Sequence, residues 1–295
     1  MRKSAFIAIV GRPNVGKSTL LNAMIGEKVA IVSKKPQTTR NRITGVLTKG
    51  EDQFVFLDTP GIHKPRTRLG DYMVKTTAET LGGVDCAILV VEAREEVGDI
   101  EAQLISRFKS DGMRAILVIN KTDMVRAANI AKTIQAYADA FDFDAVIPIS
   151  AKSGKGVETV VDECRKHLYE SEWFFPDDIA TDQPEKQLAS EIIREKLLRA
   201  LDEEIPHGTA VTIEEWTEKP NAVAIRAEIY CEKASHKGII IGKHAATIKS
   251  IGIKARADIE KMLDTRVYLD LYVRVKENWR DSEFNINDFG FRKEL

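Results

Sequence analysis

Cysteine is nearly missing from this sequence. Cys86, Cys164 and Cys231 lie far apart in a chain of 295 residues. Three scattered thiols exclude a disulfide framework and a cysteine-based metal site, and they suit a reducing compartment. No apolar run is long enough to cross a bilayer, which takes about 20 residues; "CAILVVEA" at 86–93 is typical of what is present. The beginning of the chain does not read as a signal peptide, so a cytoplasmic location is expected. An excess of either charge is also lacking. A net charge of -1 excludes a globally basic nucleic-acid binder and leaves room only for a local basic site. Low-complexity tracts are absent, and aromatics make up 7%. The remainder is ordinary globular composition, 43% hydrophobic and 30% charged, long enough for two domains with separate cores.

The first part alternates apolar β-branched runs with amphipathic stretches. "AFIAIV", "QFVFLD", "CAILVVEA", "RAILVIN" and "AVIPIS" read as strands buried on both faces of a parallel sheet. Helix-like segments at 18–26, 70–82, 98–111 and 126–141 separate them. The expectation is a doubly wound α/β domain over 1–170, with ligand loops at the carboxyl ends of its strands. A connection rich in proline, acids and aromatics follows at 171–184, with Trp173, Phe174 and Phe175 expected to pack between domains. Residues 185–295 read as a smaller α+β domain in the order helix, strand, strand, helix, helix, strand. Its first helix, 185–204, carries a stripe of Leu188, Ile192, Leu197 and Leu201. "GTAVTIEEW" and "AVAIRAEIYCE" are its hairpin strands, joined by "TEKPN".

The segment "GRPNVGKS" at 11–18 follows a strand and opens a helix, the setting a phosphate loop requires. Gly11 and Gly16 let backbone N–H groups turn inward around a β-phosphate, with Asn14, Val15 and Thr19 in the same cradle. Lys17 supplies charge to the β- and γ-oxygens, and the Ser18 hydroxyl suits Mg²⁺. Asp58, ending "QFVFLD", is placed to hold the magnesium through a water, with the Gly61 N–H near the γ-phosphate. Base choice is expected from "NKTD" at 120–123: a carboxylate can accept two N–H bonds from guanine, and adenine offers no such pair. Asp123 makes that contact, Asn120 reaches N7 and braces the phosphate loop, and the Lys121 stem covers the base. "SAK", Ser150, Ala151 and Lys152, closes over the purine oxygen through the Ala151 N–H. Each motif alone is weak; four in order at strand ends are specific.

With these residues in hand, the chain resembles the Era family of P-loop GTPases, over essentially its whole length. "PQTTRNR" at 36–42 resembles that family's first switch and "DTPGIHKPRTRLGDYM" at 58–73 its second. The resemblance implies that Thr39 completes the Mg²⁺ shell, with Thr38 as rival. At the position where many GTPases carry a water-orienting glutamine stands Ile62, which has no polar atom and reads as a packing residue. The resemblance implies that a monovalent cation or a partner substitutes: Asn14 would ligate K⁺, or would only make a turn hydrogen bond. Lys17, Thr39, Gly61 and Asn14 are thus the expected catalytic set. His63 invites a role as base but reads as solvent-facing.

"KGIIIGKHAATIKSIGIK" at 237–254 resembles a prokaryotic-type KH RNA-binding domain. Its loop places helix N-termini and backbone N–H groups against a sugar-phosphate chain beside an apolar groove. The family loop is Gly-x-x-Gly; here it reads Gly242-Lys243-His244-Ala245, and Ala245 disfavours a positive φ. Between 233 and 261, seven basic residues (Lys233, Lys237, Lys243, Lys249, Lys254, Arg256, Lys261) face Asp258 and Glu260, an excess of 7 − 2 = +5. The expected RNA contacts are Lys237, Gly242, Lys243, His244, Ala245, Ile248 and Lys249, with Ile239, Ile240, Ile241 and Ile248 lining the groove. Trp279 reads equally as a contact or as packing.

The resemblance implies a Mg²⁺-dependent GTP-hydrolysing switch that binds the 3′ region of 16S rRNA and assists small ribosomal subunit assembly, as a monomer without DNA. Two other classes remain open: a non-catalytic GTP-gated RNA adaptor, motivated by Ile62, and a signalling GTPase on the cytoplasmic face of the inner membrane. No lipidation motif or amphipathic anchor supports the last.

Overall fold

The structure is a computed structural model that describes residues 1–291; the last four residues of the expected second domain lie outside the described residues. Two compact units form. The first comprises Met1–Ala30, Thr39–Pro65 and Gly70–Asp182; the second comprises Ile31–Thr38, Arg66–Leu69 and the chain from Gln183 onward.

In the first unit, β1 (Lys3–Val10) leads through the glycine loop into α1 (Lys17–Ile25). There follow β2 (Ile43–Lys49), β3 (Asp52–Asp58), α2 (Arg68–Leu81, of which Arg68 and Leu69 count with the second unit), β4 (Cys86–Glu92) and α3 (Asp99–Asp111). Next come β5 (Ala115–Asn120), α4 (Ala127–Ala140), β6 (Ala145–Pro148), α5 (Val157–Cys164) and the short β7 (Tyr169–Glu170). The sheet runs β2-β3-β1-β4-β5-β6, with β7 antiparallel on β1. Strands β3, β1, β4, β5 and β6 are mutually parallel, so their carboxyl ends share one edge. Alternation explains why the strands read as continuous apolar runs. Ile7 and Ile9 enter one core with Leu20, Phe54 and Ile88, whereas Ala8 and Val10 enter the other with Leu89, Phe108 and Leu117.

Two features depart from the sequence reading. β2 was not expected; it pairs antiparallel with β3, with Val46 opposite Val55, and its Gly45 leaves room for Leu21 and Ile25 of α1. The second concerns the aromatics of the connection: Trp173, Phe174 and Phe175 make contacts on the first unit. Trp173 Nε1 donates to the Glu51 carbonyl (3.1 Å), and Gln53 Oε1 accepts from the backbone N–H groups of Phe174 (2.9 Å) and Phe175 (3.1 Å).

The second unit is built from α6 (Glu185–Ala200), β8 (Ala210–Lys219), β9 (Ala222–Cys231), α7 (Ala234–Ile241), α8 (Ala246–Leu263) and β10 (Arg266–Val275). Its sheet order is β10-β9-β8, with β10 parallel and β8 antiparallel to β9. β8 continues through Lys219, so the expected five-residue turn contracts to Pro220–Asn221. Odd-numbered residues of β9, among them Ile225 and Ile229, join Ile192, Leu197 and Leu201 from the α6 region and Ile251, Ala255 and Ile259 of α8 in one core. Trp279 is fully buried, donating Nε1–H to the Gly208 carbonyl at 2.8 Å, and is a packing residue.

Candidate functional site

The carboxyl ends of β1, β3, β5 and β6 deliver all four motifs to one edge of the first sheet. At the phosphate loop, Gly16 adopts φ 100°, and a Cβ there would lie 2.2 Å from Asn120 Nδ2. Only glycine meets both conditions. Asn120 is buried and splices two motifs together: its Nδ2 donates to the Val15 carbonyl (2.8 Å) and its Oδ1 accepts the Ala151 N–H (2.9 Å). The Ala151 amide expected to face the purine oxygen is therefore already engaged, and contact with a base would require it to be shared. Lys121 Nζ donates to the Asn14 carbonyl (2.6 Å) and pairs with Glu92, so its stem spans from the base motif to the phosphate loop. Asp123 is exposed; the neighbouring Ser150 hydroxyl holds its carboxyl below the usual carboxylate range, without closing a hydrogen bond of full geometry.

The residues expected around a metal converge. Ser18 Oγ donates to Asp58 Oδ2 at 2.6 Å and lies 2.8 Å from Thr39 Oγ1, which is itself 3.4 Å from the same carboxylate oxygen. Thr38 takes no part, because its hydroxyl donates to the Lys35 carbonyl (2.7 Å) and sits 2.8 Å from Ser33 Oγ. Asp58 is fully buried and its Oδ1 has no hydrogen-bond partner. Burial pushes its pKa up to about 6 against the opposing pull of Lys17 and the Ser18 hydroxyl. Burial likewise lowers Lys17 to about 8, while Asp58 pulls it back. Lys17 Nζ meanwhile rests on the carbonyls of Gly11 (3.2 Å) and Arg12 (3.0 Å). A buried cation and a buried anion, both pushed toward neutrality, mark a pocket short of charge. Two hydroxyls and a carboxylate with a spare oxygen are the hard oxygen donors Mg²⁺ prefers, and they fit it.

Gly61 lies against the backbone of Pro13, which brings the second switch onto the phosphate loop. Ile62 packs against the core containing Ala8, Val10 and Val91, and its N–H donates to the Gly11 carbonyl (3.2 Å). His63 is half-buried, its Nδ1 3.0 Å from the Gly61 carbonyl, so it is folded onto its own backbone and not turned to solvent. Asn14 sits in the left-handed region at φ 66°. Val15 is buried in the core beneath the loop, and Thr19 lies on the first turn of α1.

In the second unit, α7 stops at Gly242 (φ 73°), where a Cβ would strike Thr247 Oγ1 at 2.2 Å. His244 (φ 51°) and Ala245 (φ 61°) then turn the chain through two left-handed residues into α8. Ala245 therefore stands outside the helix, at the strained position a glycine would relieve. Lys237, Lys243, His244 and Lys249 are exposed.

The second unit carries an open groove beside this loop. It runs between α8 and β10 with a volume of about 320 Å³, lined by Ile248, Lys249, Gly252, Ile253, Arg256, Leu269 and Leu271. Of the four isoleucines expected at an RNA groove, Ile248 lines this one. Ile240 is core, Ile241 packs against the core, and Ile239 is exposed without lining the groove. Lys249 and Arg256 reach the groove because they lie on one helical face; Lys233, Lys254 and Lys261 do not line it. The missed residues carried a signal: Leu269 and Leu271 alternate within "RVYLDLYVRV", and 248, 249, 252, 253 and 256 follow helical spacing.

Known proteins share this arrangement throughout. Residues 6–121 match a family described as 50S ribosome-binding GTPase, and residues 204–280 match the KH domain. GTPase Era from Ruminiclostridium cellulolyticum is 46% identical over 291 residues, 98% of each chain. GTPase Era from Clostridium acetobutylicum is 47% identical over 292 residues, 99% of each. A crystal structure of an Aquifex aeolicus Era variant bound to GDP·AlF4⁻ superposes with a TM-score of 0.94 at 38% identity, covering 98% of this chain and 99% of that one. An Era structure in complex with MgGDPNP and nucleotides 1506–1542 of 16S ribosomal RNA gives 0.95 at 38% identity, with 99% of both chains covered. With its motifs, both its domains and nearly its full length in common with these proteins, the chain belongs to the Era family of GTPases.

Proposed function

We propose that this protein is a GTP-hydrolysing switch that binds the 3′ region of 16S rRNA and assists assembly of the small ribosomal subunit. The observation that carries the catalytic half is the convergence of Ser18, Thr39 and a buried Asp58 with one carboxylate oxygen unpartnered. Backbone N–H groups of the loop from Asn14 to Ser18 cradle the phosphates, and Lys17 leaves its two carbonyl partners to meet the β- and γ-oxygens. Asp123 reads the guanine edge, while Asn120 holds the base motif against the phosphate loop. Ser18, Thr39 and Asp58 hold Mg²⁺, which when bound neutralises charge growing on the phosphates. Thr39 belongs to a segment ordered by this shell, and Gly61 carries the second switch; both report the γ-phosphate.

Ile62 orients no water, so the site is completed from elsewhere. Asn14, on the phosphate loop, is the residue to hold K⁺ against the phosphates. The RNA half rests on the α8–β10 groove, where apolar side chains meet unstacked bases and Lys249 and Arg256 meet phosphates. The likeness to an Era structure holding the end of 16S rRNA and a GTP analogue supports this choice of RNA. Among the described residues no helix is long and apolar enough to cross a membrane. The proposal places the protein in the cytosol as a monomer, and sedimentation with lipid vesicles tests for peripheral attachment.

The deciding experiment is GTP turnover by the purified protein with Mg²⁺, in potassium chloride against sodium chloride at equal ionic strength. Stimulation by potassium that is lost in Asn14→Ala supports the cation reading. Turnover that rises only when an RNA fragment matching nucleotides 1506–1542 is added assigns completion of the site to the RNA. Turnover at background under every condition would return the protein to the class of non-catalytic GTP-gated adaptors.

A further inference from the structure

The phosphate loop carries one charged side chain that the nucleotide chemistry does not use. Arg12 points away from the cradle toward α3, and its Nε donates to Glu101 Oε1 at 2.5 Å. Glu101 sits in the first turn of α3 and is 2% exposed; its other oxygen, Oε2, has no hydrogen-bond partner. Its charge is therefore matched by Arg12. The guanidinium also lies close against Gly98, the residue before α3. A Cβ at position 98 would stand 2.2 Å from Arg12 Nη2 and 2.7 Å from Glu101 Oε2. Gly98 has φ -77° and ψ 164°, a conformation open to any residue, so glycine is needed there for space and not for backbone freedom.

A largely buried ion pair such as this one, with Arg12 partly exposed and Glu101 enclosed, is a poor route to stability, since desolvating the charges offsets their attraction. It does fix geometry, because a guanidinium and a carboxylate hold only a narrow range of mutual orientations. Here one partner is the second residue of the phosphate loop. Its backbone carbonyl accepts from Lys17 Nζ (3.0 Å), and its neighbours Pro13 and Asn14 form the limb facing the second switch and Lys121. The other limb is already held by Asn120 through the Val15 carbonyl. The geometry points to Arg12 as a positioning residue: clamped on Gly98 and Glu101, it sets the Arg12–Asn14 limb of the loop for the nucleotide's β-phosphate. This rests on the nucleotide-binding reading above and adds a specific anchor to it.

Gly98→Ala tests the clamp without touching either charge. The obstructing atoms are the flexible ends of two side chains, so the fold accommodates the methyl and the guanidinium must leave. Dissociation constants of the full-length protein are measured for GDP by calorimetry and for GMP, which lacks the β-phosphate, by competition against a fluorescent GDP analogue. The thermal transition is recorded alongside. GDP affinity is expected to fall roughly tenfold, the worth of one charge-assisted contact, with GMP affinity unchanged, while the transition falls because Glu101 is left buried without its cation. A second variant, Arg12→Met with Glu101→Leu, replaces the pair by apolar groups of similar size and leaves no charge stranded. It should show the same selective loss, and adding Gly98→Ala to it should cost nothing further. The inference is overturned if folded Gly98→Ala binds GDP as the wild type does, if GMP weakens in parallel, or if Gly98→Ala still acts in the apolar background. A wild-type protein that fails to bind GDP would instead remove the nucleotide reading itself.

Discussion

The two glycine loops of this chain, one in each unit, treat charge in opposite ways. Around Gly16 the charged groups are enclosed: Lys17 is 6% exposed, Asp58 is fully buried, and burial drives both toward neutrality. Around Gly242 the charges stand in water, with Lys237, Lys243 and Lys249 all exposed beside an open groove. Enclosure makes each charge worth more to a ligand that completes it and punishes one that does not. A small, fixed phosphate group suits that arrangement. Exposed lysines bind more weakly and with salt sensitivity, which suits a flexible polymer whose specificity comes from bases in the groove. The backbones differ too: the first loop, left-handed at Asn14, is bolted through Asn120, Lys121 and Arg12, whereas the second turns through two consecutive left-handed non-glycine residues, His244 and Ala245.

The contrast predicts effects of graded size. Lys17→Ala should cost about two orders of magnitude in GDP affinity by calorimetry, because it leaves Asp58 and the phosphates without their buried cation. A loss comparable to that from an exposed lysine would break the comparison. Thr39→Ala should lower GTP turnover by roughly ten- to a hundredfold in steady-state assays while sparing GDP binding, whereas Thr38→Ala should do neither, since only Thr39 reaches Ser18 and Asp58. Equal effects of the two would mean that the first switch rearranges before it acts.

On the exposed side, Lys249→Ala and Arg256→Ala should each weaken RNA binding only a few-fold and reduce the slope of log affinity against log salt by about 1, with an unchanged thermal transition. Binding that ignores salt would place the RNA off this groove. The smallest effect belongs to Ala245→Gly. Relief of the left-handed alanine should stabilise the protein by about 0.5–1 kcal/mol in chemical denaturation, partly offset by the greater freedom of glycine when unfolded. A destabilised variant would show that the alanine methyl is packed and not merely strained.

The motifs of the first unit were more legible in the sequence than the groove of the second, for a physical reason. Their residues sit at strand ends, where chemistry dictates both residue type and spacing, so "GRPNVGKS", "DTPG", "NKTD" and "SAK" could be placed before any fold was known. The groove is bounded by one helix and one strand remote in sequence, and which isoleucines face it depends on how α7 and α8 rotate onto the sheet. Of the run Ile239–Ile241, α7 turns Ile240 into the core and leaves Ile239 exposed, while the groove between α8 and β10 is lined by Ile253, Leu269 and Leu271. β2 escaped notice because its sequence, "ITGVLTK", contains a glycine whose purpose appears only when Leu21 and Ile25 pack over it.

What the sequence determined by itself was the order of elements, the two classes of domain, the motifs and their chemistry, since periodicity and local spacing are properties of adjacent residues. Only the tertiary structure decided which of Thr38 and Thr39 meets Ser18 and Asp58, that Ala151 is engaged by Asn120, and that Arg12 is clamped between Gly98 and Glu101. Each of these is a contact between side chains or backbone groups far apart in the chain. Their energies depend on burial and on angstrom-level distance, quantities that no local pattern encodes.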